Sequence, residues 1–555
     1  MCGIWAFFQK KQLYSKYESI LYNYFSALKP RGPDRSIYCD LSEPVNIKFG
    51  FHRLAIMDTS IKGDQPFKYE SMGRTIYVIC NGEIYNHQEL CKYHKFEPKS
   101  GSDCEVIALL YEYYDNGNID FISRELEGEY AFMILDIDNN TGDYNIYICN
   151  DRFGIRPLFV LEDEYGIMFS SELKGFQLCN IKQNNVKRFP PRNYAILNKT
   201  KGILGKLNYV EYYNLNDIEQ KEFKFQDEKD QVIRSFERAV TLMLNTDREM
   251  GCLLSGGLDS SLVSSIASKI LKKRGKKLNT FSIGLPDSED EYFAKLVSKY
   301  IESDHTHITV SEKDFLDTVP NVIHMIESYD ITTVRASTAQ YLISKWISEN
   351  TNIKVLLCGD GSDELSSGYL YFHKAPSAQE SHEENIRLLN DIHLYDGLRA
   401  DRCIAGHGIE ARFPFLNHKF VETYLSIDPK LRVPVNGLEK WFLRMCFEKG
   451  DYLPEQILMR KKTAFSDGCS NAKRSWYQIL QDNIETLYTN EQLKEAQKIF
   501  PHVPPHTKEA LYFRELFCEY FGYGSVCKIY SYYWLPKWCG NITDPSARTL
   551  NFNIE

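Results

Sequence analysis

Short apolar stretches with few helical repeats dominate the N-terminal part of the chain. Residues 4–8, 47–56, 75–80, 131–137, 145–149 and 167–170 are rich in β-branched and aromatic side chains, so each is predicted to be a strand of an antiparallel sheet. Helical spacing of apolar residues occurs at 13–28 and 104–114. This pattern predicts a mixed α+β fold for the first half.

The second half has a different pattern, in which strand-like and helix-like segments alternate. Predicted strands at residues 250–254, 280–285, 307–310 and 354–358 are separated by helices that include 292–301 and 315–327. This alternation is typical of an α/β fold with a doubly wound parallel sheet. The aromatic residues 512–534 predict a helical C-terminal region that serves in packing or in a subunit contact.

A segment without periodicity separates the two patterns. Residues 199–226 are polar and aromatic by turns, which is typical of a domain boundary. We therefore expect a first domain at residues 2–200, a linker at 201–226 and a second domain at 227–555. The length of 555 residues agrees with this division, since one hydrophobic core rarely serves so long a chain.

Composition excludes several partners. A net charge of −9 provides no broad basic surface, so a nucleic acid is not expected as the main partner. No apolar stretch is long enough to span a membrane, and the N-terminus lacks the pattern of a signal peptide. The fifteen cysteines show no metal-type or disulfide spacing, which favours free thiols and a cytoplasmic location.

A glycine-rich loop joins the first predicted strand of the second half to a helix. Its residues are Ser255-Gly256-Gly257-Leu258-Asp259-Ser260-Ser261. Two adjacent glycines allow a tight turn that directs backbone N–H groups and a helix N-terminus at an anion. Because Asp259 would repel a bare phosphate, we expect a divalent cation between them and therefore a metal-bound nucleotide. The alternative is an ordinary glycine turn before a serine-capped helix.

A second loop with glycines and carboxylates follows the predicted strand 354–358. It contains Gly359-Asp360-Gly361-Ser362-Asp363-Glu364. Because loops after parallel strands meet at one edge of the sheet, we expect this loop to face the first one. Asp259 and Asp363 are therefore the predicted Mg²⁺ ligands. The alternative is a turn whose carboxylates only cap the next helix.

A cysteine at the second position provides a different chemistry. Removal of Met1 would leave Cys2 with a free α-amino group, which can accept the proton of its own thiol near neutral pH. Attack of this thiolate on a carboxamide would produce an oxyanion, for which the Asn81 side chain and the Gly82 N–H are suitable donors. Taken alone, a cysteine at this position carries little meaning.

Several motifs accompany Cys2 in a fixed order and spacing. They are Arg31-Gly32-Pro33-Asp34, Phe51-His52-Arg53-Leu54-Ala55-Ile56-Met57-Asp58, Gln65-Pro66, Asn81-Gly82-Glu83-Ile84-Tyr85-Asn86 and Gly101-Ser102-Asp103-Cys104-Glu105. With Cys2 they resemble the class II glutamine amidotransferases. The resemblance implies a four-layer αββα sandwich of the N-terminal nucleophile type. It also implies a glutamine pocket formed by Arg53, Leu54, Ala55, Ile56, Met57, Asn81, Gly82, Glu83 and Asp103, in which Arg53 binds the α-carboxylate and Asp103 the α-ammonium.

The second half contains a second set of motifs that resemble those of known families. The loop at 255–261 resembles the pyrophosphate loop of the ATP pyrophosphatases. Four further segments, 329–338, 368–376, 408–416 and 465–468, extend the resemblance to the glutamine-hydrolysing asparagine synthetases. The resemblance implies that ATP contacts Leu254, Ser255, Gly256, Gly257, Asp259, Ser260, Ile283, Cys358 and Gly359, and that Arg335 and Lys462 neutralise phosphate charge.

The activity implied by the resemblance has two steps at two sites. Glutamine is hydrolysed to ammonia, and ATP with Mg²⁺ converts aspartate to β-aspartyl-AMP, which ammonia then converts to asparagine. A homodimer is implied in the same way. The chain departs from the family at Asp360 and Thr463, where glutamates are usual, and Asp360 is the carboxylate expected to assist ammonia attack. The alternatives are another ATP-dependent amidotransferase, a β-lactam-synthetase-like ligase, or a degenerate protein that only binds glutamine or nucleotide.

Overall fold

The computed structural model describes residues 1–11, 16–41, 45–114, 118–176, 186–221, 225–470 and 474–546. In its first part the strands and α-helices are, in chain order, β1 (Gly3–Gln9), α1 (Lys16–Ser26), β2 (Arg35–Leu41), β3 (Ile47–Arg53), β4 (Phe67–Ser71), β5 (Arg74–Ile84), α2 (His87–His94), α3 (Val106–Tyr113), α4 (Ile119–Glu125), β6 (Gly128–Asp138), β7 (Tyr144–Asn150), β8 (Phe159–Glu162), β9 (Gly166–Ser170), β10 (Val186–Arg188), β11 (Asn193–Thr200), β12 (Ile203–Leu204) and β13 (Asn208–Glu211).

Two antiparallel sheets form the centre of this part. One has the order β10-β8-β9-β1-β3-β2, and the other has the order β12-β11-β7-β6-β5-β4 with β13 also paired to β11. Alternate residues of β1 point to opposite faces, so that Phe8 joins Met133 and Ile146 of the second sheet in one core. Trp5, on the other face, lies in the core that includes α1.

The outer face of the second sheet is covered by α3, whose Ile107 joins Val78 and Phe132 in a third core. Helix, sheet, sheet and helix therefore form the four layers of an αββα sandwich, which confirms the predicted fold. All six predicted strands are present. The strand predicted at 47–56 is too long, because β3 ends at Arg53, and β5 continues beyond Cys80 to Ile84.

Other predicted boundaries differ more from those in the structure. The helix predicted at 13–28 is described from Lys16 to Ser26, and residues 12–15 lie outside the described residues. The predicted linker contains β12 and β13, both of which pair with β11. With only two and four residues, these strands are too short to show a period in the sequence. Residues 203–211 thus belong to the second sheet, while 222–224 lie outside the described residues. The domain limits stay a prediction.

The elements of the second part are α5 (Phe225–Met243), β14 (Met250–Leu253), α6 (Leu258–Lys273), β15 (Asn279–Gly284), α7 (Glu289–Ile301), β16 (Asp304–Thr309), α8 (Glu312–Ile326), α9 (Ile331–Asn350), β17 (Val355–Leu357), α10 (Ser362–Leu365), α11 (Ala378–Asp391), α12 (Asp396–Ala405), β18 (Glu410–Arg412), α13 (His418–Leu425), α14 (Pro429–Arg432), α15 (Trp441–Cys446), α16 (Glu455–Leu458), α17 (Phe465–Gly468), α18 (Trp476–Glu485), α19 (Asn490–Ile499) and α20 (Lys508–Phe521).

A five-stranded parallel sheet organises the second part, in the order β16-β15-β14-β17-β18. The chain moves outward from β14 to β16 on one side and then returns to add β17 and β18 on the other. Helices α5, α6 and α7 pack together as one layer, and α8, α9 and α12 form another. This confirms the predicted doubly wound sheet. The loops after β14 and β17 lie side by side at the point where the strand order reverses, which is where such sheets bind ligands.

The helical C-terminal region is also confirmed, although its main helix is shorter than the segment predicted at 512–534. Helix α20 begins at Lys508 and ends at Phe521, where Gly522 adopts a φ of +83°. Across the described ranges, no helix combines the length and hydrophobicity needed to cross a membrane.

Candidate active sites

Cys2 lies just before β1, at the boundary between the two parts of the chain. Its Sγ is 3.8 Å from the carbonyl oxygen of Leu54. The amino group of Met1 is buried and lies 3.7 Å from a carboxylate oxygen of Glu410 on β18. Burial raises the pKa of the Cys2 thiol to about 11, and it lowers the pKa of the Met1 amino group. With Met1 attached, Cys2 is therefore a poor nucleophile at neutral pH.

Asn81 lies on β5 and is fully buried. Neither its amide nitrogen nor its amide oxygen has a hydrogen-bond partner within the described residues. Such an unpaired amide is costly unless a ligand completes it. Gly82 follows at a close approach of two strands, where a Cβ would lie 2.3 Å from the carbonyl oxygen of Glu129. Both positions suit the predicted oxyanion donors.

Two buried carboxylates lie near these donors. Asp103 accepts a hydrogen bond from the N–H of Ile84 at 2.6 Å, and Glu83 lies 3.3 Å from the guanidinium of Arg412. Burial raises the pKa of both carboxyl groups, and each is further affected by other nearby charges. A bound ammonium would stabilise their ionised forms, as the predicted role of Asp103 requires.

Arg53 is engaged with the loop that follows β3. Its guanidinium pairs with Asp64 at 2.8 Å and donates to the backbone oxygens of Met57, Asp58 and Ser60. The predicted pocket residues Leu54, Ala55, Ile56 and Met57 lie in this loop, so Arg53 holds the predicted pocket backbone. Its predicted role in binding the α-carboxylate stays a prediction.

A cavity opens at the carboxyl edge of the parallel sheet. Of the predicted ATP-binding residues it is lined by Leu254, Ser255, Gly257, Asp259, Ser260, Ile283, Gly359 and Lys462, together with the predicted catalytic Asp360 and the predicted metal ligand Asp363. Gly256 adopts a φ of +76°, and a Cβ there would lie 2.4 Å from Phe293. Gly257 is the N-cap of α6, so the strand, loop and helix order predicted from the sequence is present.

The two predicted metal ligands converge on one side chain that the sequence did not single out. Lys440 Nζ lies 2.6 Å from Asp259 and 2.7 Å from Asp363. Lys462 Nζ lies 2.5 Å from the other oxygen of Asp363. Burial would raise the pKa of Asp363, but these two lysines lower it overall. No motif identified Lys440, because its place is set by the segment between α14 and α15, far away in sequence.

Asp360 lies in the same cavity and is tied to a second cation. Arg399 donates to Asp360 at 2.7 Å and to Asp396 at 2.8 Å. Burial raises the pKa of Asp360, although the nearby Arg399 acts in the opposite direction. Thr463 lines the cavity too, and its hydroxyl is 3.5 Å from Glu289.

Two of the residues predicted to contact the nucleotide are not among the residues that line this cavity. Arg335 does not line this cavity, because Glu509 binds its guanidinium at 2.7 and 2.5 Å and Asp544 at 3.1 and 3.0 Å. These contacts join Arg335 to the C-terminal region, and its predicted phosphate contact stays a prediction. Cys358 is buried, its Sγ lies 3.8 Å from the carbonyl oxygen of Leu356, and it is not among the residues that line the cavity. Its predicted contact with ATP stays a prediction.

The two folds and their sites define a class of protein. An αββα sandwich with a cysteine beside its first strand is joined to a parallel-sheet domain with a glycine-rich loop at the point of strand reversal. This is the architecture of a glutamine amidotransferase fused to an ATP pyrophosphatase-type synthetase.

Comparison with known proteins identifies the family within this class. The glutamine amidotransferase domain model matches residues 1–220, and the asparagine synthase model matches 231–387 and 374–517. The chain is 41% identical to the asparagine synthetase [glutamine-hydrolyzing] of Cricetulus griseus and 40% identical to that of Homo sapiens, in each case over 99% of this chain and 98% of the relative. The chain belongs to the glutamine-hydrolysing asparagine synthetase family.

Among solved structures, the chain is similar to the glutamine phosphoribosylpyrophosphate amidotransferase from B. subtilis. The identity is 13% and the TM-score 0.33, over 57% of this chain and 92% of that chain.

Proposed function

We propose that this chain makes asparagine from aspartate, ATP and glutamine. Glutamine is hydrolysed to glutamate and ammonia in the N-terminal part. In the C-terminal part, ATP converts aspartate to β-aspartyl-AMP with release of pyrophosphate, and ammonia then displaces AMP. The observation that carries the proposal is the full-length similarity to the curated asparagine synthetases, together with a site of the required chemistry in each half.

The glutaminase step is assigned to Cys2 after removal of Met1. The free α-amino group accepts the thiol proton, and the thiolate attacks the side-chain carboxamide of glutamine to form a thioester with release of ammonia. Asn81 and the Gly82 N–H stabilise the tetrahedral oxyanion. The unpaired amide of Asn81 supports this assignment, because a donor that has no other partner needs no rearrangement when the oxyanion forms.

The synthetase step is assigned to the cavity beside β14 and β17. The loop that contains Ser255 and Gly257 would hold the pyrophosphate, and Lys440 and Lys462 would balance its charge. Within the described ranges, no cluster of three or more His, Cys, Asp or Glu side chains is arranged to hold a metal. Asp259 and Asp363 nevertheless fit Mg²⁺, which is commonly bound by one or two carboxylates together with substrate phosphates. The ion would neutralise phosphate charge.

Two further features of this proposal concern the protein in the cell. We place it in the cytoplasm, because the cysteines in the described part of the chain are all free, as expected in a reducing compartment. We also propose a homodimer, as the family resemblance implies.

A second candidate function is a degenerate protein that binds glutamine or nucleotide without making asparagine. Asp360 and Thr463, which replace the usual glutamates, are the observations that favour it. Pyrophosphate release measured with aspartate, without aspartate and with other amino acids separates the two functions. Aspartate-dependent release supports synthesis. Absent release, or release that does not depend on aspartate, would contradict it.

A further inference from the structure

A strand of the second part of the chain places an arginine beside the glutaminase site. Strand β18 pairs in parallel with β17, and in this pairing Arg412 lies opposite Leu357. The carbonyl oxygen of Arg412 also accepts a hydrogen bond from the N–H of Cys358 at 2.9 Å. The backbone of Arg412 is therefore held by the parallel sheet, and its side chain is fully buried.

The guanidinium of Arg412 binds groups from several parts of the fold. Its Nε donates to Glu410 at 2.7 Å, and its Nη1 donates to the carbonyl oxygens of Met243 at 2.8 Å and Asn245 at 2.7 Å. The remaining nitrogen, Nη2, lies 3.3 Å from Glu83, a predicted glutamine-binding residue on β5. The other hydrogen bonds thus fix the guanidinium in a position where Nη2 faces Glu83.

The contact between Arg412 and Glu83 is an ion pair that is not aligned as a hydrogen bond. Within the described residues, Nη2 of Arg412 has no hydrogen-bond partner, although the side chain is buried. A buried donor without a partner is costly. A small movement of the Glu83 carboxylate would satisfy this donor without moving the guanidinium, which its other bonds hold in place.

The charge of Arg412 also matters, because Glu83 lies among other carboxyl groups. Burial raises the pKa of Glu83, and the carboxyl groups of Asp103 and Glu410 raise it further. Arg412 acts in the opposite direction, as does the amino group of Met1 to a smaller extent. An ionised Glu83 accepts a hydrogen bond from an N–H group of glutamine through either of its oxygens. Arg412 therefore favours the form of Glu83 that suits the substrate.

We propose that Arg412 is a positioning residue of the glutaminase site, which holds the Glu83 carboxylate where it accepts an N–H group of the bound glutamine. The inference rests on the proposed function and adds to it a residue from the second part of the chain. The glutamine pocket is then complete only when β18 packs against the first part. Because Asn81 and Gly82 are the predicted oxyanion donors, Arg412 should affect glutamine binding more than the chemical step.

The test compares KM and kcat for glutamine hydrolysis in variants of the full-length chain. Glutamate release is measured over a range of glutamine concentrations, and asparagine synthesis from ammonium by the same samples verifies that each variant is folded. Arg412→Met removes the guanidinium. We expect its KM for glutamine to rise about 10- to 100-fold, the range for loss of a hydrogen bond to a charged group, with kcat within about three-fold of the wild type.

Two further variants separate positioning from a general loss of stability. Arg402→Met is the matched control, because Arg402 is also a buried arginine of the second part that donates to the first part, at Ser171, while its carboxylate partner is Glu327. Its KM for glutamine should stay within about two-fold of the wild type, since it does not touch Glu83. Arg412→Lys keeps the charge but loses the planar fork, so its KM should rise by more than about three-fold and by less than that of Arg412→Met.

A double variant asks whether Arg412 acts through Glu83. Glu83→Gln alone should raise the KM for glutamine, because an amide replaces the carboxylate. Adding Arg412→Met to it should raise the KM no further, since the group that Arg412 holds is already absent.

Three results would overturn the inference. They are a KM of Arg412→Met that matches the wild type, an equal rise in Arg402→Met, or a double variant whose rise is the product of the two single rises. If Arg412→Met does not fold, Arg412→Lys decides, and an unchanged KM in that variant would overturn the inference as well. Failure of the proposed function gives a different result, namely a wild-type enzyme that hydrolyses no glutamine at all.

Discussion

The two candidate sites differ in how their polar groups are satisfied before a substrate binds. In the glutaminase site, the buried amide of Asn81 has no partner in the described part of the chain. In the synthetase cavity, Lys440 lies between Asp259 and Asp363 and binds both. The glutaminase site thus contains a donor without a hydrogen-bond partner among the described residues, whereas the charges in the synthetase cavity already neutralise each other.

This difference follows from the chemistry each site performs. A single oxyanion is best stabilised by a fixed donor that forms no competing bond. A nucleotide brings several negative charges, and a cavity with unpaired lysines and carboxylates would be costly to bury without it. The nucleotide site therefore has to exchange internal ion pairs for contacts with phosphate. We expect it to depend more strongly on salt and Mg²⁺ than the glutaminase site.

The largest expected effect comes from Cys2→Ala. Glutamine hydrolysis and glutamine-dependent synthesis should fall below detection, because Cys2 provides the nucleophile. Synthesis from ammonium should stay within about two-fold of the wild type, because it uses only the synthetase site. The measurement is asparagine formation with each nitrogen donor. Loss of both activities in a folded variant would contradict the separation of the sites.

The state of the N-terminus sharpens this test. Mass spectrometry of the active enzyme should show that Met1 is absent, since only its removal leaves Cys2 with the free α-amino group that acts as the base. Full glutaminase activity in material that retains Met1 would rule out the proposed nucleophile.

Asn81→Ala should have the next largest effect. Removing one oxyanion donor typically costs about 100- to 1,000-fold in kcat, so glutamine hydrolysis should fall by that factor with little change in KM. Ammonium-dependent synthesis by the same preparation is the internal control and should not change. A variant with normal kcat and a raised KM would show instead that Asn81 only binds glutamine.

The sequence predicted those parts of the molecule whose signal is local. The strand, loop and helix at 250–273 and the six strands of the first half were predicted correctly because apolar periodicity and glycines act on neighbouring residues. Periodicity gave only a mixed α+β fold for the first half, and the four-layer αββα sandwich came from the family resemblance. The position of Lys440 and the ion pair of Arg335 with Glu509 were both missed, because each depends on a contact between residues far apart in sequence. Strands β12 and β13 were missed because segments of two and four residues are too short to show a period, and their pairing with β11 is formed by the backbone.

Lys440→Met should reduce nucleotide binding. Its ammonium is the group that Asp259 and Asp363 share, and loss of a charged hydrogen-bond partner of this kind is worth about 1.5–3 kcal/mol. We expect the KM for Mg²⁺-ATP to rise about 10- to 100-fold in the pyrophosphate assay, with unchanged glutamine hydrolysis. Lys461→Met is the control, because Lys461 lines the same cavity but is not the lysine that bridges the two carboxylates. Equal effects of the two variants would refute a specific role for Lys440.

Arg335→Met should lower the stability of the fold, and of all these variants it should have the smallest effect on the activity of either site. Its guanidinium is buried between Glu509 and Asp544, and removing one partner of a buried ion pair typically costs about 3–5 kcal/mol. The melting temperature should therefore fall, and Glu509→Gln should lower it as well, because both changes break the same contact. At a temperature where the variants are folded, the KM for Mg²⁺-ATP should stay within about two-fold of the wild type. A ten-fold rise in that KM without a change in melting temperature would instead support the predicted contact of Arg335 with the nucleotide. In that case the guanidinium would reach the synthetase cavity only after the C-terminal region moves.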